Sequence, residues 1–364
     1  MTESSETRHE FGVNPKDDVF KDLAAVVYAA EGLISGTYTH QSRFAATLAE
    51  AHCGGLRGKR IIDMGCGYGT TTAEIARHCP AMILGVDASP QMIDLYREVF
   101  ALDGDIRAWL RTKGAEALGP MHGMAASHLE NLRRDFKSGA FSARGGRIQP
   151  LCRHLRALAL RPEWDAVVGN NFFHWPVNEE KASCVEEGLC QADATDAAIG
   201  TSLTWLGQGL RKGGVAVLLE PLDFVSYDDD PSRQAFLEAR NPIAHPIATA
   251  MQEAVNRILA AEHGVTRPVL RTSPIFRTSA MKGLFDRAGF DLIQTAFSEI
   301  TVFCDPVDAF MVRMPMWLGS VDLPFETKIA IAARANDEVH EAARPEDLEL
   351  PLHSECTVFV ARKL

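Results

Sequence analysis

Short apolar runs recur along the chain and are separated by segments of helical character. Each run is four or five residues long and rich in Val, Ile or Leu, which is typical of strands that are covered on both faces. Their alternation with helical segments predicts a parallel sheet with crossover helices. The runs are Arg60–Met64, Ile83–Val86, Ala166–Gly169 and Val215–Leu219.

The C-terminal part of the chain adds a different pair of strands. Met281–Ala288 is predicted to be a helix that Gly289 stops. Strand-like Phe290–Phe303 follows, and a final strand is predicted at Cys356–Ala361. We expect these two strands to form an antiparallel pair at the edge of the sheet.

Long stretches interrupt this pattern, and loops of such length usually have a function. The expected organisation has a core, an N-terminal helical lid and three helical insertions. The ranges are 1–55 for the lid, 56–102 and 148–221 for the core, 103–147 for a first insertion, 222–275 for a cap insertion, 276–302 and 353–364 for the C-terminal part of the core, and 303–352 for a last helical insertion.

Composition narrows the class of protein. With 364 residues, of which 46% are hydrophobic, the chain can bury a sizeable core. No apolar stretch approaches the roughly 18 to 20 residues that span a bilayer, and the first residues lack the apolar region of a secretory signal, so we expect a cytoplasmic protein without a membrane anchor. The eight cysteines form no close CxxC pair, and no metal site is predicted.

The net charge of -11 argues against general nucleic-acid binding, which depends on Lys and Arg. The segment from Arg107 to Arg161 is nevertheless basic, with eleven Lys or Arg against three Asp or Glu. Pairing with acidic surfaces of this protein or of a partner subunit explains such a segment, an anionic small substrate is a second interpretation, and a nucleic acid is a third. A homo-oligomer therefore stays open.

A glycine-rich turn follows the first strand and opens a helix. Gly65, Gly67 and Gly69 let the backbone pass close to a ligand. A nicotinamide-binding turn of the GxGxxG kind is the first alternative, but Thr70 takes its third glycine position and Asp63 precedes the turn. A carboxylate at this place suits a cationic ligand better than a diphosphate.

Asp87 ends the second strand, twenty-two residues beyond Gly65. A carboxylate there can accept hydrogen bonds from both hydroxyls of a ribose. Four sequence motifs follow one another along the chain: IIDMGCGYG, GVDASPQMI, WDAVVGNNFFHW and LRKGG. Together they resemble the class I S-adenosylmethionine-dependent methyltransferases, and the third resembles the small-molecule branch of that family.

The resemblance implies a Rossmann-like α/β fold, with a mostly parallel sheet, an antiparallel C-terminal edge strand and helical cap insertions. It implies S-adenosylmethionine as the cofactor. By motif position, Gly65, Cys66, Gly67 and Asn170 would face its methionine part, Asp87 its ribose, and Ala88 and Met92 its adenine. Asp63 is interpreted as a residue on the ligand side, against the alternative that it only fixes the turn.

One position departs from the family. An acidic residue usually follows the third strand and holds the adenine amino group, but counting along this chain places Cys152 or Arg153 there. Arginine cannot accept that hydrogen bond. Either the backbone at Arg153 supplies the contact, or the insertion before it shifts the alignment.

Candidates for catalysis follow the fourth and fifth strands. His174 could remove a proton from the acceptor, and Glu220 is the second candidate. The alternative for His174 is a packed, hydrogen-bonded residue among aromatic neighbours. Five aromatic or Met residues are predicted to contact the substrate, and the alternative is that they pack in the hydrophobic core. These residues are Tyr28, Tyr38, Trp175, Met314 and Trp317.

The expected reaction is methyl transfer to an oxygen, nitrogen or sulfur atom of a small molecule by in-line displacement. A second hypothesis is an enzyme that uses the same cofactor for cyclisation or decarboxylation. A third is a partner protein that binds the cofactor without catalysis.

Overall fold

The computed structural model describes residues 22–101, 104–239, 245–265, 274–302, 304–318 and 321–364. Its strands form one large sheet and one small pair. In chain order the strands are β1 (Arg60–Met64), β2 (Met82–Asp87), β3 (Arg147–Cys152), β4 (Trp164–Asn170), β5 (Leu210–Pro221), β6 (Val225–Ser226), β7 (Phe276–Arg277), β8 (Phe290–Val302) and β9 (Leu352–Lys363).

Helices connect these strands and extend beyond the sheet. They are α1 (Asp22–Ser35), α2 (Thr37–Cys53), α3 (Thr70–Ala76), α4 (Pro90–Phe100), α5 (Ile106–Thr112), α6 (Pro120–Ser138), α7 (Ala140–Ala143), α8 (His174–Glu186), α9 (Gln191–Gln208), α10 (Pro231–Glu238), α11 (Pro246–His263), α12 (Thr278–Arg287), α13 (Pro306–Trp317), α14 (Phe325–Ala342) and α15 (Pro345–Leu348). Within the described ranges, every helix is too short or too polar to cross a bilayer.

The large sheet has seven strands in the order β3-β2-β1-β4-β5-β9-β8. Strands β1 to β5 are parallel, whereas β9 runs antiparallel to both β5 and β8. The predicted fold class is therefore confirmed, including the antiparallel C-terminal strand. The final strand lies between β5 and β8, so that β8 forms the outer edge, and Phe303 of the predicted strand lies outside the described residues.

Alternate residues of the central strands enter two separate cores. Ile61 of β1 belongs to the core on the face that α2 and α3 cover, while Ile62 belongs to the core under α8, α9 and α12. Burial on both faces explains why these strands are apolar runs rather than alternating ones.

A third hydrophobic cluster lies beyond the sheet. Helices α1, α5, α6, α11, α13 and α14 pack together there with one face of α4. Helices from all three predicted insertions thus meet in one helical cap, to which α1 contributes, whereas α7 of the first insertion and β6 of the second pack in the cores of the sheet. Helix α2 differs from the predicted lid, because its residues Ala45, Ala46 and Ala49 pack on the sheet. Positions 1–21 of that lid lie outside the described residues.

Candidate functional site

The turn between β1 and α3 is fastened to the neighbouring strand. The backbone N–H groups of Gly65 and Cys66 both donate to the carbonyl oxygen of Val86, at 2.8 and 3.0 Å. Gly65 has a φ of +69°, and a Cβ atom there would overlap the ring of Phe172. Gly67 has a φ of +51°, and a Cβ atom there would meet no atom of the described chain within 4 Å. The turn therefore presents bare backbone on an open side.

The carboxylate of Asp87 joins this turn to the start of α4. Its Oδ2 accepts from the N–H of Gly67 at 2.9 Å, and its Oδ1 accepts from the N–H of Ser89 at 2.8 Å. Burial raises the pKa of Asp87, and the N–H groups of Ser89 and Gly67 oppose that rise. Ser89 also caps α4 by accepting from Met92 N at 3.2 Å.

A cavity of about 280 Å³ lies above the turn, at the carboxyl ends of β2 and β4 and beneath α1 and α2. This is the edge at which open α/β sheets bind ligands. Its lining residues are Tyr28, Tyr38, Ser42, Gly65, Cys66, Gly67, Tyr68, Thr70, Thr71, Asp87, Ala88, Ser89, Pro90, Met92, His154, Asn170, Asn171, Phe172, Trp175 and Glu179.

Two asparagines after β4 tie the cavity wall to α2. Asn170 Nδ2 donates to Ser42 Oγ at 3.0 Å, while Asn170 Oδ1 is buried and meets no hydrogen-bond donor from the described part of the chain. Asn171 has a φ of +54°, and its Nδ2 donates to Tyr38 Oη at 3.1 Å. A free buried acceptor beside a cavity is ready for a donor on a ligand.

Two tyrosines close the cavity from above. The rings of Tyr28 and Tyr38 lie 5.6 Å apart, and their hydroxyls are hydrogen-bonded to each other. Burial raises the pKa of Tyr28 to about 12, so that the phenol is neutral at physiological pH. Nearby, Arg313 of α13 donates to Glu31 of α1 at 2.7 Å and joins the first helix to the cap.

The structure brings ten of the residues predicted from the sequence into the lining of this cavity. They are Gly65, Cys66, Gly67, Asp87, Ala88, Met92, Asn170, Tyr28, Tyr38 and Trp175. The side chain of Met314 is instead buried in the helical cap, and the side chain of Trp317 lies outside the described part of the structure.

Asp63 lies beneath the turn rather than in the cavity wall. It is fully buried, and its Oδ2 accepts from Thr72 Oγ1 at 2.6 Å. Burial raises its pKa to about 7, and the hydrogen bond from Thr72 opposes that rise. These contacts match the alternative in which Asp63 fixes the turn.

The two predicted catalytic residues form a buried pair outside the cavity lining. His174 Nδ1 lies 2.7 Å from Glu220 Oε2, and Glu220 Oε1 accepts from the N–H of Phe173 at 2.6 Å. The imidazole also stacks on Phe224, with ring centroids 4.0 Å apart. These contacts agree with the alternative in which His174 is a packed, hydrogen-bonded residue. Neither His174 nor Glu220 lines the cavity, so the structure does not support a catalytic role for them.

The residue after β3 also differs from expectation. Arg153 is exposed, and its N–H donates to the carbonyl oxygen of Asp87 at 2.9 Å. The next residue, His154, lines the cavity instead, as does Glu179 from α8. Sequence reasoning missed both, although Glu179 follows Trp175 by four residues and so shares its helix face.

Comparison with known proteins finds similarity around the glycine turn. Residues 61–123 match the family described as "Methyltransferase domain". Trans-aconitate 2-methyltransferase of Mycobacterium ulcerans is 44% identical over 59 residues, which are 15% of this chain and 22% of that protein. Magnesium-protoporphyrin O-methyltransferase of Rhodobacter capsulatus is 49% identical over 43 residues, or 12% of this chain and 19% of that protein. The chain thus matches about a fifth of the length of these relatives.

A solved structure with a similar course of the chain is the SAM-dependent methyltransferase from Thiobacillus denitrificans in complex with S-adenosyl-L-homocysteine. It shares 14% identity and a TM-score of 0.39, with 88% of this chain and 90% of that chain covered. The family match at residues 61–123 contains both the glycine turn and Asp87. It confirms the resemblance to methyltransferases that the first two sequence motifs carry.

Proposed function

We propose that this protein is an S-adenosylmethionine-dependent methyltransferase that acts on an oxygen, nitrogen or sulfur atom of a small molecule. The methyltransferase-domain match at residues 61–123 supports this function. The observation that carries it is the cavity between the glycine turn, Asp87 and the two tyrosines, because its polar groups match those of the cofactor.

The residues present fit the cofactor in three places. The open side of Gly67 leaves room for the ligand against bare backbone. The buried Oδ1 of Asn170 can accept from the cofactor's ammonium group. Each carboxylate oxygen of Asp87 accepts one backbone N–H and keeps lone-pair capacity for the ribose hydroxyls.

When bound, the cofactor supplies an activated methyl group on its sulfonium. The protein's own contribution is to align donor and acceptor and to exclude water. Tyr28, Tyr38 and the cap suit this task, and a cavity of about 280 Å³ favours a small acceptor over a macromolecular surface. The anionic substrate, the homo-oligomer and the cytoplasmic location stay predictions.

Calorimetry with S-adenosylmethionine and S-adenosylhomocysteine tests the binding step. We expect both to bind, and we expect Asp87→Asn to weaken both at least tenfold, since a charged acceptor for the ribose is lost. Asp94→Asn on the exposed face of α4 is the matched control and should bind normally. Thermal unfolding of Asp87→Asn checks that the turn still folds.

Methyl-labelled cofactor and a panel of small acceptors test the reaction. Label on the acceptor supports methyl transfer. A cyclised or decarboxylated product without label would favour an enzyme that uses the cofactor for another reaction. Cofactor binding without turnover of any acceptor in the panel would favour a partner protein that binds the cofactor without catalysis. No heat with either cofactor form would contradict the proposed function itself.

A further inference from the structure

Glu179 brings a second carboxylate into the cavity wall, beside that of Asp87. Its side chain is one-third exposed, and its Oε2 lies 3.9 Å from His154 Nδ1, which is too long for a hydrogen bond. Each oxygen of Asp87 accepts one backbone N–H and has the ribose hydroxyls as its proposed ligand partners, whereas Glu179 Oε2 faces His154 only at this longer distance. Glu179 is therefore ready to accept a hydrogen bond from a ligand.

Contacts along β3 place this carboxylate at one end of the cavity. Asp87 pairs with Cys152 across β2 and β3, and Cys152 Sγ donates to the carbonyl oxygen of Ala88 at 3.7 Å. His154 follows two residues later and lies close enough to oppose the rise in the pKa of Asp87. His154 and Glu179 thus stand at the end of the cavity that Asp87 and Ala88 form.

We propose that Glu179 accepts the hydrogen bond from the exocyclic amino group of the cofactor's purine. This inference rests on the proposed function. A primary amine on a purine is a donor, and a carboxylate is an acceptor that cannot donate. Glu179 then takes, from α8, the task that an acid after the third strand performs elsewhere and that Arg153 cannot perform here.

The test compares two ligands by calorimetry: S-adenosylhomocysteine and its analogue with hydrogen in place of the purine amino group. The wild type should bind the amino form about tenfold more tightly, because one hydrogen bond to a charged group is lost in the analogue. Glu179→Ala should lose this preference. Glu180→Ala changes the next residue of the same helix, which does not line the cavity, and should keep it.

Glu179→Gln gives a second, independent readout. Its amide can donate, so this variant should gain affinity for the 6-oxo analogue, S-inosylhomocysteine, relative to the wild type. An equal amino preference in wild type and Glu179→Ala would overturn the inference, as would a wild type without preference. If the wild type did not bind S-adenosylhomocysteine at all, the proposed function itself would be contradicted.

Discussion

The carboxyl group of Asp63 sets up a pH dependence of stability beneath the glycine turn. Burial raises its pKa from 3.8 to about 7. The folded protein therefore holds this proton to higher pH than the unfolded chain does, and the free energy of unfolding falls as the pH rises through that range. Relative to Asp63→Asn, which keeps the acceptor for Thr72, the wild type should lose on the order of 3 kcal/mol between about pH 4 and about pH 7.

Urea denaturation of both proteins at several pH values measures this difference. Asp94→Asn alters an exposed carboxylate and should track the wild type across the whole range. Parallel pH profiles for wild type and Asp63→Asn would show that folding does not raise the pKa of Asp63.

Glu220 is expected to stabilise the folded protein. Glu220→Ala leaves His174 and the N–H of Phe173 buried without their acceptor. The free energy of unfolding should fall by about 3 kcal/mol or more, the usual result of breaking a buried pair. Glu187→Ala, at an exposed position directly after α8, should change the free energy of unfolding by less than about 0.5 kcal/mol. Chemical denaturation measures this change, and a Glu220→Ala variant as stable as the wild type would contradict the structural role of Glu220.

Residues whose role depends on nearby backbone were predictable from the sequence. The turn and Asp87 belong to one strand-helix-strand unit, β1-α3-β2, and spacing along the sequence locates them. Arg153 and His154 show the limit, because successive side chains of an extended segment point in opposite directions. A shift of one residue exchanges an exposed arginine for a cavity-lining histidine. The direction of His174 depends on Glu220 and Phe224, contacts that the order of residues does not reveal.

At the scale of elements, α1 approaches the turn closely at Gly32. A Cβ atom there would lie 2.5 Å from Tyr68 Oη and 2.8 Å from His128 Nε2. We expect Gly32→Ala to lower the melting temperature, since overpacking costs about 1 to 3 kcal/mol and exceeds the gain of up to about 1 kcal/mol in helix propensity.

Gly123 of α6 offers the matched control for this prediction. It is exposed and helical, and a Cβ atom there would meet nothing within 4 Å in the described chain. Gly123→Ala should therefore raise the melting temperature or leave it unchanged. Equal behaviour of the two variants in thermal unfolding would mean that α1 does not press on Tyr68.

Strands β1, β2, β4 and β5 were predictable as elements because each contains a continuous apolar run. Strand β3 was not predicted, since its sequence RIQPLC has no such run. The position of β9 between β5 and β8 was not, since strand order is set by long-range pairing. The same limit applies to α2. The sequence predicts it to be part of the lid with α1, but its small residues Ala45, Ala46 and Ala49 pack on the sheet.

At the scale of the whole molecule, the cap and the sheet meet across the cavity. Tyr28 of α1 faces the cavity, while Glu31 of the same helix is held by Arg313 of the cap. A ligand that fills the cavity should therefore hold α1 in place. At one hundred times its dissociation constant, a ligand adds about 2.7 kcal/mol to the free energy of unfolding, which raises the melting temperature of a chain of this size by about 3 °C.

Hydrogen exchange locates this stabilisation along the chain. With S-adenosylhomocysteine bound, amides of α1 and of the glycine turn should exchange more slowly, because the ligand holds α1 against the sheet. Helix α12 packs on the far part of the sheet and contributes nothing to the cavity lining, so its local exchange should not change. A higher melting temperature with unchanged exchange in α1 would mean that the ligand binds without contacting α1, and Tyr28 would then not cover the bound cofactor.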